Sequence, residues 1–107
     1  MNRYRIGASY EYATKKKLEK LGYIVVRSAG SHTPFDLVAW NGEGMVLVQC
    51  KVSNSGGWRD SNVKLFETIL CPPHTQKLAF VKIGRGKQII YQFNEEFKQW
   101  IAMQNFS

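Results

Sequence analysis

The stretch FDLVAWNGEGMVLVQCK, residues 35–51, holds two runs of strand-forming residues around a glycine-containing turn. Apolar runs of this length bounded by turn residues read as paired strands. If Asn41 to Gly44 form the turn, Trp40 pairs with Met45, Val38 with Leu47 and Asp36 with Gln49. Directly opposed residues share one face with Cβ atoms roughly 4.5–5.5 Å apart, and Lys51, two residues beyond Gln49, projects from that same face. An acid, an amide and an amine are therefore expected together at the open end of the hairpin. The other face carries Leu37, Ala39, Val46, Val48 and Cys50, so both faces are apolar over most of their length, as in central strands covered by helices on either side. The expected fold class is α/β, a central sheet flanked by helices with polar groups at one rim.

Outward from the hairpin, ASYEYATKKKLEKLGY reads as a helix from about Ser9 to Leu21, stopped at Gly22. A strand is expected over 23–28, and a second helix over 61–70 from the helical spacing of Val63, Phe66 and Leu70, stopped by Pro72 and Pro73. Between them SNSGGWRDSN, residues 53–62, is polar and glycine-containing and reads as an exposed loop. KLAFVKI and KQIIYQF around GRGK form a second hairpin, and NEEFKQWIAM reads as a closing helix capped by Asn94. In it Phe97, Trp100 and Ile101 serve either the core or a dimer face. With 107 residues the chain supports a single domain, 1–107, with one modest core.

Lys and Arg outnumber Asp and Glu by 15 to 8, and a net charge of +7 on so short a chain points to a polyanionic partner. Cys50 and Cys71 sit in apolar surroundings without metal-ligand spacing, so reduced thiols and a cytosolic setting are expected. No apolar run approaches the ~18 residues of a membrane span, and MNRYRIGASYEY lacks the apolar segment of a secretion signal, so neither membrane insertion nor secretion is expected.

Glu11, Thr14, Leu18 and Leu21 recur at helical spacing, and the leucines mark that stripe as the inward one. An unpaired buried carboxylate is costly, so Glu11 needs a cation, a hydrogen-bond network or a route to solvent; the plainer alternative is a surface pair between Glu11 and Lys15. Taken singly, Asp36 reads as the start of a strand and Lys51 as a solvated strand end. Together, two acids and an amide oxygen make ligands for a hard divalent cation, and an amine beside them meets a phosphate. Mg²⁺ needs only one or two protein carboxylates because it retains several waters. Such a site acidifies a water and offsets charge developing on a phosphate, so hydrolysis of nucleic-acid phosphodiesters is the leading chemistry.

GASYEYATKKKLEKLGYIVVRSAGSHTPFDLVAWNGEGMVLVQCK, residues 7–51, resembles the PD-(D/E)xK nucleases and within them the archaeal-type Holliday junction resolvases, including related viral forms. The resemblance rests on a glycine before the helical Glu11, LGY and a strand ending near Arg27, the small-residue loop SAGS, Asp36 at a strand start and Gln49-Cys50-Lys51 at the end of the next. It implies a restriction-endonuclease-like mixed sheet, a symmetric homodimer, dependence on Mg²⁺ or Mn²⁺, and paired nicks across a four-way DNA junction. Position by position, it implies that Glu11, Asp36, Gln49 and the backbone carbonyl of Cys50 surround the metal, that Lys51 faces the phosphate, that Ser31 assists there and that Arg27 holds DNA. The departure is Gln49, where most such resolvases carry Glu; its amide oxygen can still ligate a metal, with one formal charge fewer and weaker affinity. Gln at this position also occurs in Mrr-type restriction endonucleases of the same superfamily. One residue separates Pro34 from Asp36, which changes no chemical group.

Candidate DNA contacts are Arg3, Arg5, Lys15, Lys16, Lys17, Arg27, His32, Trp58 and Arg59. Three successive lysines cannot all point one way, so part of KKK is a solvated helix face. His32 either touches a phosphate or is a solvated loop histidine, and Trp58 either stacks on an unpaired base or settles on the domain surface. The reading is a metal-dependent, structure-selective DNA endonuclease acting on four-way junctions as a homodimer. The alternatives are a Mrr-like or repair endonuclease on duplex or damaged DNA, and a DNA-binding module silenced by Gln49.

Overall fold

The computed structural model describes residues 3–28, 33–54, 57–104 and 106. Helix α1 runs Arg3–Lys20, starting well before Ser9 because Gly7 weakens a helix without forbidding it. Tyr10, Thr14 and Leu18, four residues apart, are its buried line. At the C-terminus Gly22 takes φ of 97°, its N–H donates to the Glu19 carbonyl (3.0 Å), and the Tyr23 N–H returns to the Leu18 carbonyl (3.2 Å). These paired bonds satisfy two of the end carbonyls and reverse the chain into the sheet. Leu21, expected on the inward stripe, lies past the helix end and is 40% exposed.

Strands β1 (Ile24–Arg27), β2 (Leu37–Asn41) and β3 (Gly44–Ser53) form an antiparallel meander. The β2–β3 register is the expected one, with Trp40 opposite Met45, Val38 opposite Leu47 and Leu37 opposite Val48. Asn41 sets the turn by accepting from the N–H groups of Glu43 (2.8 Å) and Gly44 (3.1 Å). Position 44 has no room for a side chain, since a Cβ would lie 2.4 Å from the His74 carbonyl oxygen.

Helix α2 (Ser61–Glu67) begins at Asp60, whose carboxylate accepts from the Val63 N–H (3.0 Å), and ends before the two prolines. It carries the chain across to β4 (Thr75–Ile83), which pairs with β3 in parallel. Strands β5 (Lys87–Asn94) and β6 (Gln99–Met103) follow antiparallel. The sheet is thus mixed and six-stranded, in the order β1-β2-β3-β4-β5-β6.

The closing helix expected over 94–103 is replaced by a turn and the edge strand β6. Asn94 does cap, but what it caps is a turn, accepting from the Phe97 N–H (2.8 Å); Lys98 then enters the left-handed region at φ 55°. Trp100 packs inward while Ile101 is exposed, the alternation of a strand, and the free edge of β5 supplies the ladder of hydrogen bonds that outweighs the local helix signal.

One apolar layer lies between α1 and the sheet, built on Leu18, Leu37, Val48, Leu78 and Phe80, all fully buried. The other lies under α2, where Val63 and Phe66 are fully buried and Phe66 meets Phe35 (6.2 Å between ring centroids) and Trp100 (5.9 Å). A buried lysine closes that layer: the Lys77 ammonium donates to the Glu67 carbonyl in the last turn of α2 (3.1 Å) and pairs with Glu95 (2.9 Å). Among the described residues no helix is long and apolar enough to cross a membrane. Leu18→Ala is expected to lower the unfolding free energy by about 2–5 kcal/mol. Leu70→Ala, at a side chain 97% exposed, is expected to change it by less than about 0.5 kcal/mol, both read by urea unfolding.

Candidate active site

The site lies where β2 ends and β3 runs on. Just ahead of β2 the regular ladder breaks: the Asp36 N–H donates to the Val48 carbonyl on one side while its carbonyl accepts from the Ser28 N–H on the other, both at 2.8 Å. Asp36 and Leu37 thus both address Val48, as at a bulge, and Asp36 does not take the regular ladder position opposite Gln49 that the sequence predicts. Its carboxylate turns along the rim, where Oδ2 accepts the Cys50 N–H at 2.8 Å. The N–H and C=O of one strand residue point to the same edge, so the Cys50 carbonyl faces the same gap. Burial raises the Asp36 carboxyl above the ordinary range; the Cys50 N–H opposes this, nearby Glu11 adds to it, and Lys51 and Arg27 oppose it.

Gln49 is 5% exposed, and its Oε1 is buried without a hydrogen-bond partner among the described residues. An acceptor left in that condition costs roughly 1–3 kcal/mol, so its retention calls for a donor or a cation. Lys51, on the same strand face, is ion-paired with Asp60, the residue that caps α2. Burial would raise the Asp60 carboxyl, but the Lys51 ammonium and the Val63 N–H together hold it below the ordinary range.

Of the two readings of Glu11, the structure gives neither a buried unpaired acid nor a pair with Lys15: the carboxylate is half-buried and its partner is Arg27 of β1, whose Nε donates to Oε1 at 2.8 Å. Lys15 pairs instead with Glu19 (3.6 Å). The Arg27 guanidinium also lies over the Tyr12 ring, 4.7 Å from its centroid. Glu11 thus reaches the rim from the α1 side and Lys51 from the α2 side, with Asp36 within electrostatic reach of both.

The oxygen donors available for a cation are the Asp36 carboxylate, Gln49 Oε1 and the Cys50 carbonyl. Among the described residues no three His, Cys, Asp or Glu side chains cluster as a metal site. A cation here would rely on one carboxylate, neutral oxygens and water, a set that suits Mg²⁺. The fit rests on the orphaned Gln49 oxygen; Glu11 is already neutralised by Arg27. Burial pushes the Cys50 thiol up.

Ser31 and His32 lie outside the described residues. Arg3 and Arg5 lie at the start of α1, and Lys16 and Lys17 are exposed on it, Lys17 with its ammonium 5.8 Å from the centroid of the Phe80 ring. Trp58 packs against Tyr91 (4.8 Å) and Trp100 (5.3 Å), and Arg59 holds Glu67 with two hydrogen bonds of 2.7 and 2.8 Å. Asp60 is the site residue that sequence reasoning passed over. Its signal was present, an acid immediately before the helix that carries Val63 and Phe66.

A mixed sheet between two helical layers, with Asp36 and Gln49-Cys50-Lys51 at its rim, is a restriction-endonuclease-like fold. The family model for archaeal Holliday junction resolvases matches residues 2–67, more than half of the chain, and the chain belongs to that family. A crossover junction endodeoxyribonuclease of Methanocaldococcus jannaschii is 42% identical over 53 residues, which span 50% of this chain and 39% of that protein, well under two thirds of the relative's length. The fold is similar to that of a Holliday junction resolvase from Archaeoglobus fulgidus, with a TM-score of 0.58 at 20% identity over 78% of this chain and 70% of that one. A bacterial homing endonuclease shares it with a TM-score of 0.53 at 14% identity, over 99% of this chain and 80% of that one.

Because burial raises Asp36, the folded protein binds that proton more tightly than the unfolded chain, and stability falls as pH rises from the ordinary Asp range through the raised value. Asp36→Asn removes the charge and keeps an acceptor for the Cys50 N–H. In EDTA the variant is expected to melt above the unaltered protein at pH 7, with the gap closing near pH 3; a gap independent of pH contradicts this.

Proposed function

We propose that this protein is a Mg²⁺- or Mn²⁺-dependent endodeoxyribonuclease that nicks four-way DNA junctions and works as a homodimer. The carrying observation is the buried Gln49 oxygen, without a partner among the described residues, on the strand segment whose Cys50 N–H holds Asp36 and whose Lys51 follows, in a chain of the resolvase family. Asp36, Gln49 and the Cys50 carbonyl would hold the cation. When bound, it supplies a polarised phosphate oxygen and an acidified water.

The chain's own residues do the rest. The Cys50 N–H fixes one Asp36 oxygen and leaves the other free to act as a ligand. Gln49 contributes an oxygen already stripped of water, so no solvent has to be displaced from it. Lys51 brings positive charge to the phosphate, where it counts most as negative charge grows in the transition state. The net charge of +7, with Lys16 and Lys17 exposed on α1 and Arg27 at the rim, supplies the phosphate-binding surface. Two sites in a symmetric dimer sit at a fixed separation and so address two strands of a branched substrate. The free thiols of Cys50 and Cys71 accord with a reducing, cytosolic setting.

A second reading, a DNA-binding module that no longer cuts, is favoured by two features: Gln49 is neutral and Glu11 is held by Arg27. Incubation of the protein with a four-way junction and with linear duplex, in Mg²⁺ or EDTA, separates these readings. Preferential cutting of the junction in Mg²⁺ alone is expected. Equal cutting of both substrates moves the assignment to a duplex endonuclease, and binding without cutting to the module. Asp36→Asn and Lys51→Ala are expected to abolish cutting with junction binding retained. Alanine at Lys15, Lys16 and Lys17, or at Arg27, is expected to weaken binding and to reduce the salt slope by roughly one unit for each phosphate that the protein ceases to neutralise, measured by titration at several salt concentrations.

A further inference from the structure

Three consecutive residues ahead of α2 are each anchored to a different part of the molecule. Trp58 is wedged against Tyr91 and Trp100, and Arg59 is locked on Glu67, which also accepts from the Trp100 indole N–H at 2.7 Å. Asp60 divides its carboxylate, one oxygen capping α2 through the Val63 N–H and the other taking the Lys51 ammonium. Lys51 and Asp60 line one open cavity of about 450 Å³ with Trp58 and Arg59, so the pair faces solvent.

The pair is asymmetric: the Lys51 side chain is 19% exposed and that of Asp60 52%. An ion pair open to solvent on one partner contributes little to stability, and the cap needs only an acceptor, which Asn would also provide. Neither stability nor capping therefore explains why this residue carries a charge directed at Lys51. A lysine on a flexible four-carbon stem is a poor point charge unless something holds it. Its ammonium has three donors, of which Asp60 takes one, leaving two for phosphate oxygens.

We propose that Asp60 is the positioning residue for Lys51, transmitting the rigidity of the aromatic layer beneath α2 to the ammonium that meets the scissile phosphate. The proposal rests on the endonuclease reading of the site. Asp60 touches neither substrate nor metal in this role; it acts through Lys51.

The test compares the unaltered protein, Asp60→Asn and Asp60→Glu. Single-turnover cleavage of a four-way junction is measured in Mg²⁺, the Kd for the same junction in EDTA, and the melting temperature of each protein. Misplacing a catalytic group by about 1 Å can cost up to roughly 100-fold in rate. Asp60→Asn is accordingly expected to cut about 10- to 100-fold more slowly. Its Kd should be unchanged or tighter, because a negative charge facing a polyanion has gone, and its melting temperature should hold. Asp60→Glu, which keeps the charge, should recover part of the rate. Cutting by Asp60→Asn at the normal rate or faster would show that Asp60 merely competes with phosphate and overturns the proposal, as does a slower rate accompanied by loss of binding and of thermal stability. No cutting by the unaltered protein overturns the endonuclease reading and this proposal with it, whereas the other two outcomes leave that reading intact.

Discussion

The site depends on the register of β2 against β3. Side chains alternate along a strand, so a slip of one residue would carry Asp36 away from the Cys50 N–H and send every apolar side chain of the hairpin to the wrong layer. Three interactions pin it. Asn41 closes the turn on the Glu43 and Gly44 N–H groups, Gly44 lies flat against the His74 carbonyl, and the Met45 N–H donates to that same carbonyl at 3.0 Å. The first is local and the other two tie the hairpin to the start of the parallel strand, so the pairing that brings Asp36 to the Cys50 N–H is held from both the turn and the sheet.

From that register the rim becomes a meeting point of two layers. Glu11 and Arg27 arrive with α1, Lys51 and Asp60 with α2, and Asp36 stands where β2 gives out. Each flanking charge has a partner of opposite sign, while among the described residues the Gln49 amide oxygen has none. The arrangement concentrates an unmet demand for positive charge at a single buried atom.

The hairpin was legible because its signals agree: strand propensity, turn residues and a polar end all favour one pairing. Glu11 was legible as an inward acid from helical spacing alone, but its partner was not, since Arg27 is sixteen residues away and the local signal pointed to Lys15. Asp60 could be recognised as a helix cap, yet the ion pair with Lys51 depends on where α2 crosses the sheet. The last segment misled for a physical reason. Asn94 and the acids after it are good helix-start residues, and only the open edge of β5, a tertiary feature, makes residues 99–103 a strand. The aromatic layer of Trp58, Tyr91, Phe93 and Trp100 is likewise invisible in sequence, being assembled from a loop and two strands.

The central claim is that the Gln49 oxygen is a metal ligand whose neutrality weakens the site. Gln49→Glu restores a carboxylate of nearly the same shape, and the most direct test is a Mg²⁺ titration of junction cleavage by this variant and by the unaltered protein. The account predicts a lower Mg²⁺ concentration for half-maximal cutting in Gln49→Glu, whatever happens to the maximal rate. An unchanged Mg²⁺ requirement in a variant that still folds and cuts would contradict it.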